Sequence, residues 1–316
     1  MILISGASGF IGGRLLRDLS SEGTPCRTIG RTLVAGENAF VANLSDKAAL
    51  AYACEEVDCV FHCAGYAHAF GSRSSADDAL HWEVNFEGTC NIVEAAAKAG
   101  VQKFVFLSSV KAMASSGTIC ANEELPGDPE TVYGQSKRAA EQHVLAIGKQ
   151  YGMHVVNLRL AMVYGVGGRG NLERMANLVK GGWFPPLPET GNHRSLIHVD
   201  DVVAAMRLVA KDVRANGQTY IVASPESPSG RGLYDALRSA LKMPRCSWAV
   251  PASLLRAAAI GGDALEHLMK KRLPFDSEVL DRLLGSAWYS PARIERELGW
   301  RARVPLFDGL VELIKK

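Results

Sequence analysis

The sequence predicts an α/β fold in which a parallel sheet is covered by helices on both faces and a smaller C-terminal lobe is attached. Three observations carry this. Through the first half of the 316 residues, short apolar runs alternate with runs of helical spacing. The apolar runs are continuous, as strands buried on both faces require. After about residue 166 the texture changes to loops rich in Gly and Pro, with further helices between them.

In chain order, "MILIS" (1–5) is a strand stopped by Gly6, and "FIGGRLLRDLSSEG" (10–23) has helical spacing and ends at Gly23. "CRTIG" (26–30) and "FVANL" (40–44) read as strands, and "DKAALAYACEE" (46–56) as a helix. "VDCVFHCAG" (57–65) is a buried strand, followed by a long helix, "DDALHWEVNFEGTCNIVEAAAKAG" (77–100), and the strand "KFVFLSS" (103–109). A helix carrying "TVYGQSK" (131–137) precedes the strand "HVVNLRLAMVYG" (154–165). The segments "GVGGRGN" (165–171) and "GGWFPPLPETGNHR" (181–194) are loops, and helices are expected between them and over 229–241 and 252–284. "IHVDDVVAAMRLVAK" (197–211) and "GQTYIVAS" (217–224) read as a return to the main sheet. The division is therefore a nucleotide-binding domain over 1–165, its sheet completed by about 195–224, and a smaller lobe over 166–194 and 225–316.

Bulk properties exclude several classes. The formal net charge of +2 gives no reason to expect a nucleic-acid partner. Seven cysteines without a C-x-x-C pair suit thiols in a reducing cytoplasm better than a disulfide framework or a metal site. The apolar run at Met1 has no basic flank and no cleavage pattern, and no stretch approaches the ~18 apolar residues of a membrane span. "ASLLRAAAIGGDALEHLMKK" (252–271) has the spacing of an amphipathic helix; packing on its own core is expected over seeking an external surface.

"GASGFIG" places Gly6, Gly9 and Gly12 at the first strand-to-helix turn. Glycines there permit a tight turn and let backbone N–H groups approach an anion at the positive helix N-terminus. The loop residues Gly6, Ser8, Gly9, Phe10, Ile11 and Gly12 are thus candidates for holding a dinucleotide pyrophosphate, although the spacing is G-x-x-G-x-x-G and not G-x-G-x-x-G. An NAD site usually has an acidic residue after the second strand, bonded to the ribose. Here Gly30 takes that position and Arg31 follows, and a guanidinium there suits a 2′-phosphate. NADP(H) is therefore favoured, with NAD(H) possible.

Seven motifs, "GASGFIG", "VFHCAG", "VNFEGT", "FVFLSS", "YGQSK", "LRLAMVYG" and "RSLIHVDDVV", stand in an order and spacing that resembles the extended short-chain dehydrogenase/reductases, the NAD-dependent epimerase/dehydratase family, over nearly the whole chain. The resemblance implies a doubly wound Rossmann sheet binding the dinucleotide and a C-terminal lobe binding a nucleotide-sugar. Lys137 lies one helical turn from Tyr133, on the same face. Its charge is expected to lower the phenol's pKa from near 10. By resemblance, Tyr133 exchanges a proton with the sugar oxygen, Lys137 also holds the nicotinamide ribose, and Ser109 bonds the reacting oxygen. Ala64 and Gly65 would line the cofactor, Asn43 and its neighbour Leu44 would stand near adenine, and Asn85 would support the surrounding loops. Asn171, Arg194 and Arg282 match residues near the substrate diphosphate, and Lys111 joins them as a substrate-binding candidate. His198 reads as a structural histidine at a strand end.

Departures from the family pattern narrow the reaction. Dehydratases of this class carry an Asp-Glu pair after the serine or threonine, where this chain has Val110 and Lys111. Val132 stands where Pro is common, and Met162 where a substrate-binding Asn is common. The pattern is most similar to bacterial nucleotide-sugar 4-ketoreductases of surface-polysaccharide assembly, acting on UDP-linked 4-keto-6-deoxy (N-acetyl)hexoses. A UDP-sugar 4-epimerase with retained NAD is the alternative, and a non-catalytic dinucleotide sensor the second. Residues 66–76 and 166–190 are expected to shape the sugar pocket, the first of them as a flap. A homodimer would pair through 78–98 and 134–151.

Overall fold

Buried apolar strands with short connections leave the chain one economical arrangement, in which each strand lies parallel to its neighbour and each helix crosses back over the sheet. The computed structural model describes residues 1–32, 38–67, 75–168, 170–269 and 276–315. Most of the expected flap, residues 68–74, lies outside the described residues.

In chain order the elements are β1 (Ile2–Ser5), α1 (Phe10–Ser21), β2 (Cys26–Gly30), β3 (Ala39–Val41), α2 (Lys47–Cys54) and β4 (Cys59–His62). Next come α3 (Ser75–Leu80), a π-helical turn (His81–Glu87) and α4 (Gly88–Lys98), then β5 (Lys103–Ser109), α5 (Val132–Tyr151), β6 (His154–Leu160) and β7 (Met162–Tyr164). α6 (Asn171–Lys180), β8 (Leu196–His198), α7 (Val199–Lys211), β9 (Gln218–Val222) and α8 (Gly230–Ala240) follow. The chain continues with α9 (Ala252–Met269), α10 (Ser277–Leu284), α11 (Ala292–Leu298) and α12 (Leu306–Ile314).

Seven strands form one sheet in the order β3-β2-β1-β4-β5-β6-β9, and every pairing is parallel. The order reverses at β1, which pairs with β2 on one side and β4 on the other. A crevice at the carboxyl ends of strands flanking such a reversal is where doubly wound sheets bind ligands. One face is covered by α1 and α7, whose Leu15, Leu19, Val202, Met206 and Val209 join the core. The other face is covered by α2, α4 and α5 through Leu50, Ile92, Val93, Ala140 and Val144. A third core lies in the smaller lobe, where Leu172, Met175, Leu233, Leu237 and Leu310 pack around Tyr164.

The structure departs from the sequence reading at three places. The apolar run 154–165 is two strands: β6 stays in the main sheet, and after Ala161, whose N–H still donates to Val222 O at 3.1 Å, β7 pairs with β8 in a separate two-stranded sheet. Of the two segments expected back in the main sheet, only β9 joins it; β8 and α7 do not. The helix read over 77–100 contains the π turn, with Asn85 and Phe86 inside it. The helices expected over 252–284 are α9 and α10, the second started by Asp276, whose carboxylate accepts from Val279 N at 2.7 Å.

Candidate active site

The glycine loop joins β1 to α1 at the strand-order reversal. Gly6 has φ +71°, and a Cβ built on it would stand 2.7 Å from the Ala64 backbone, so a side chain is excluded twice over. A Cβ on Gly12 would lie 2.4 Å from Gly6 O, which is how α1 comes to sit directly on the loop. Gly9 is the N-cap of α1 and offers no side-chain hydrogen bond, so the first N–H groups of the helix face the loop without an intramolecular side-chain acceptor. Ser8 and Gly9 are exposed, and Phe10 and Ile11 half-buried. A side-chain-free loop against an uncapped helix N-terminus fits a dinucleotide pyrophosphate. Ala64 and Gly65 leave β4 beside it, and a Cβ on Gly65 would lie 3.2 Å from both Lys137 Nζ and Asn85 Oδ1. At the end of β2, Gly30 is followed by an exposed Arg31. Asn43 is also exposed, and Leu44 is held against α4, where a Cβ on Gly88 would be 2.8 Å from its side chain.

α5 delivers Tyr133 and Lys137 to the carboxyl end of β5. Thr131 caps the helix by accepting from Gly134 N at 3.1 Å, which fixes where its first turn begins. Gly134 is required there, because a Cβ would lie 2.1 Å from Lys111 O. Lys137 Nζ donates to Leu107 O at 2.9 Å and sits 4.7 Å from the centroid of Phe106. Burial lowers its pKa to about 8, opposed by the charge of Glu141. Ser109 Oγ accepts from Lys111 N at 3.2 Å and so caps the short turn after β5, which fixes the hydroxyl at the strand end.

The expected lowering of the Tyr133 pKa by Lys137 is not what the protein's own groups produce. Burial raises the phenol above its ordinary value, and hydrogen bonding with Ser109 only partly offsets this. Lys137 directs its ammonium to a carbonyl and a ring face and is itself desolvated, so at neutral pH the phenol is protonated.

Sequence reasoning missed the network beneath this pair. Glu141, one turn beyond Lys137, accepts from Ser108 Oγ at 2.6 Å and takes a bidentate pair from Arg159 at 2.9 and 2.7 Å, both partners being almost fully buried. This ties α5 to β5 and β6 and so fixes the height of Tyr133 over Ser109. The available signal was an Arg inside an apolar strand and a Glu continuing the Tyr133–Lys137 face. Asn85, held in the π turn, clamps the backbone of Tyr66: its Oδ1 accepts from Tyr66 N at 2.8 Å and its Nδ2 donates to Tyr66 O at 2.9 Å. His81, in the same turn, lies with its ring centroid 4.9 Å from Tyr66, edge-on, and 5.5 Å from Tyr133, tilted, so aromatic rings wall the phenol on that side.

Beyond Ser109, positive charges gather. Burial lowers the pKa of Lys111, and Arg194 and Arg282 lower it further. Burial also lowers that of Arg194, with Arg282 contributing. Arg194 is anchored by its backbone, donating to Pro228 O at 2.9 Å and bridging Ala287; Arg282 comes from α10 and pairs with Glu278. Arg282 depresses both Lys111 and Arg194, and Arg194 depresses Lys111, so the gathering favours an anion among them. Asn171 is the first residue of α6, half-buried, and makes no side-chain hydrogen bond among the described residues. His198 caps α7, its Nδ1 accepting from Asp200 N at 3.3 Å, which is the structural role expected of it.

The sequence matches the profile of the NAD dependent epimerase/dehydratase family over residues 2–223. It is 28% identical to UDP-glucose 4-epimerase of Vibrio cholerae, over 98% of this chain and 92% of that protein. It is also 28% identical to 2-alkyl-3-oxoalkanoate reductase of Stenotrophomonas maltophilia, over 99% and 98% of the two chains. The fold superimposes on UDP-glucose 4-epimerase of Thermus thermophilus, solved in complex with NAD, with a TM-score of 0.75 and 25% identity, covering 99% of this chain and 97% of the other.

Proposed function

The chain belongs to the NAD dependent epimerase/dehydratase family, and on that premise we propose that it reduces the 4-keto group of a UDP-linked 6-deoxy (N-acetyl)hexose with NADP(H). The observation that carries this reading is a buried phenol held protonated beside Ser109, with Lys111 two residues on and Arg194 and Arg282 near enough to Lys111 to lower its pKa.

The dinucleotide, when bound by the glycine loop, supplies hydride to the carbonyl carbon. Tyr133 donates its proton to the carbonyl oxygen as charge grows there, and Ser109 hydrogen-bonds the same oxygen. Lys137, charged below its pKa of about 8, stabilises the tyrosinate one turn away until solvent restores the proton. Arg194, Arg282 and Lys111 hold the diphosphate, and Asn171 at the head of α6 is assigned to the same end of the substrate. Val110 and Lys111 follow Ser109 where water elimination would need carboxylates, which favours redox chemistry at the carbonyl over dehydration. Arg31 and Gly30 support the phosphorylated dinucleotide, and Ala64, Gly65, Asn43 and Leu44 are assigned to the remainder of its site. The setting implied is the cytoplasm, in surface-polysaccharide assembly.

A second reading is a UDP-sugar 4-epimerase that retains NAD, favoured by the similarity to the Vibrio cholerae enzyme. The similarity to an oxoalkanoate reductase points to a singly charged substrate instead, for which three converging cations are an excess. A cofactor-and-substrate screen separates the readings. NADPH oxidation on a UDP-4-keto-6-deoxy sugar supports the proposal. Interconversion of two stable UDP-sugars by protein that copurifies with NAD would replace it with the epimerase. Turnover of an acyl ketone alone would discard both.

A further inference from the structure

α9 is expected from its spacing to pack on its own core, but it is largely bare. Of its described side chains only Leu255 and Ala259 are buried, in a small cluster with Leu187 and Leu280. Leu254 is 60% exposed, Ile260 64% and Met269 55%, and Leu265 is also exposed. Ala257, Ile260 and Ala264 lie opposite the buried pair, and Leu254, Ala258, Gly261, Leu265 and Met269 continue beside them at helical spacing, so the exposed side of the helix is apolar.

The bare surface continues beyond the helix. Phe184 and Val250 pack at the edge of the same small cluster. Near them in the chain, Trp183 and Trp248 are 83% and 61% exposed and line one shallow cavity of about 420 Å³ together with Arg238 and Arg245. Among the described residues, nothing packs over the two exposed tryptophans or the exposed apolar side of α9.

The charge around the surface identifies its occupant. From residue 236 to 262 the chain carries Arg238, Lys242, Arg245 and Arg256 and no carboxylate, and the next acidic residue of α9, Asp263, is engaged by Ser277. Lys242, Arg245 and Arg256 are exposed, and neither Arg245 nor Arg256 makes an ion pair among the described residues. An exposed apolar helix side, exposed tryptophans and a basic excess are the parts of a surface that lies in the headgroup layer of an anionic bilayer. Among the described residues no helix is long and apolar enough to cross a membrane, so the contact proposed is one of lying on the surface.

We propose that the face formed by α9, Trp183 and Trp248 docks the protein on an anionic phospholipid surface. Cosedimentation of the full chain with vesicles of phosphatidylglycerol and phosphatidylcholine, against vesicles of phosphatidylcholine alone, tests this. Binding is expected to the anionic vesicles at about 50 mM salt and to be lost at about 500 mM, where screening shortens the reach of surface charge. Each basic residue near such a surface strengthens binding about fivefold, so Arg245→Ala with Arg256→Ala is expected to weaken it about 25-fold. Leu254→Ser with Ile260→Ser is expected to abolish it. Because these side chains are exposed and outside the catalytic and nucleotide sites, turnover in vesicle-free buffer is expected to be unchanged. The proposal is overturned if anionic and zwitterionic vesicles bind equally or not at all, or if both double variants bind as the parent does. It is also overturned if the serine variant instead dissociates a solution dimer, which would make this face a contact between copies.

Discussion

Replacing Lys137 with Met should remove activity without removing stability. The buried ammonium has its pKa lowered from 10.5 to about 8, by desolvation first. A group whose folded pKa is depressed in this way binds fewer protons folded than unfolded between those two values, so stability rises with pH across that window. At one pKa unit per roughly 1.4 kcal/mol, keeping the amine charged in the fold costs about 3 kcal/mol at neutral pH. Linkage gives the wild type about 2.5 kcal/mol of added stability between pH 7 and pH 10, and a Met variant lacks this contribution. Against the relief of the charge, the variant leaves Leu107 O without its donor, a cost of about 1–3 kcal/mol. Lys137→Met is therefore expected to be as stable as the parent at pH 7, or up to about 2 kcal/mol more so, and to lose ground to it steadily as pH rises. Urea unfolding of both proteins from pH 7 to pH 10 reads this directly, because taking the difference cancels cysteine and tyrosine titrations common to both. Parallel stability curves would refute the reasoning, as would a variant several kcal/mol weaker at pH 7.

Wild-type turnover should fall as pH rises through about 8, as Lys137 loses its proton, and a pH–rate profile flat across that value would contradict the ammonium's role. Gly12→Ala forces a Cβ to 2.4 Å from Gly6 O, so α1 must shift off the loop; dinucleotide affinity by calorimetry should fall about tenfold or more, and an unchanged affinity would place the cradle elsewhere. Arg159→Met strands the buried Glu141 carboxylate and should lower unfolding stability by about 3–5 kcal/mol, whereas a loss under about 1 kcal/mol would mean that the pair is solvated.

What was legible in the sequence was whatever depends on local spacing. The Gly6–Gly9–Gly12 loop, the Tyr133–Lys137 face and the six strands from β1 to β6 could be placed because a glycine triplet, an i, i+4 pair and a continuous apolar run each have one local meaning. The change of sheet at Ala161 was not legible, because a buried residue in β6 and one in β7 have the same apolar character and only the partner differs. The π turn around Asn85 was hidden for the same reason: it adds no breaker residue and shows itself only through the clamp on Tyr66.

The electrostatics of the site were the least readable. Spacing alone has Tyr133 acidified by its neighbour, yet depth in the fold dominates and the shift has the opposite sign. Lys111, Arg194 and Arg282 are separate candidates in the sequence, and tertiary folding brings them close enough for each arginine to depress Lys111. The Glu141–Arg159 pair shows how a charged residue in a buried strand can be read forwards: it needs a partner, and the neighbouring helix is the place to seek one.

The proton-donor role of Tyr133 is tested most directly by Tyr133→Phe, assayed for NADPH-linked reduction of a UDP-4-keto-6-deoxy sugar alongside dinucleotide binding. Loss of the phenolic proton is expected to lower kcat about 10²–10⁴-fold while dinucleotide affinity stays at the parental value. A variant that keeps most of its turnover would contradict the assignment, whatever its affinity for the dinucleotide.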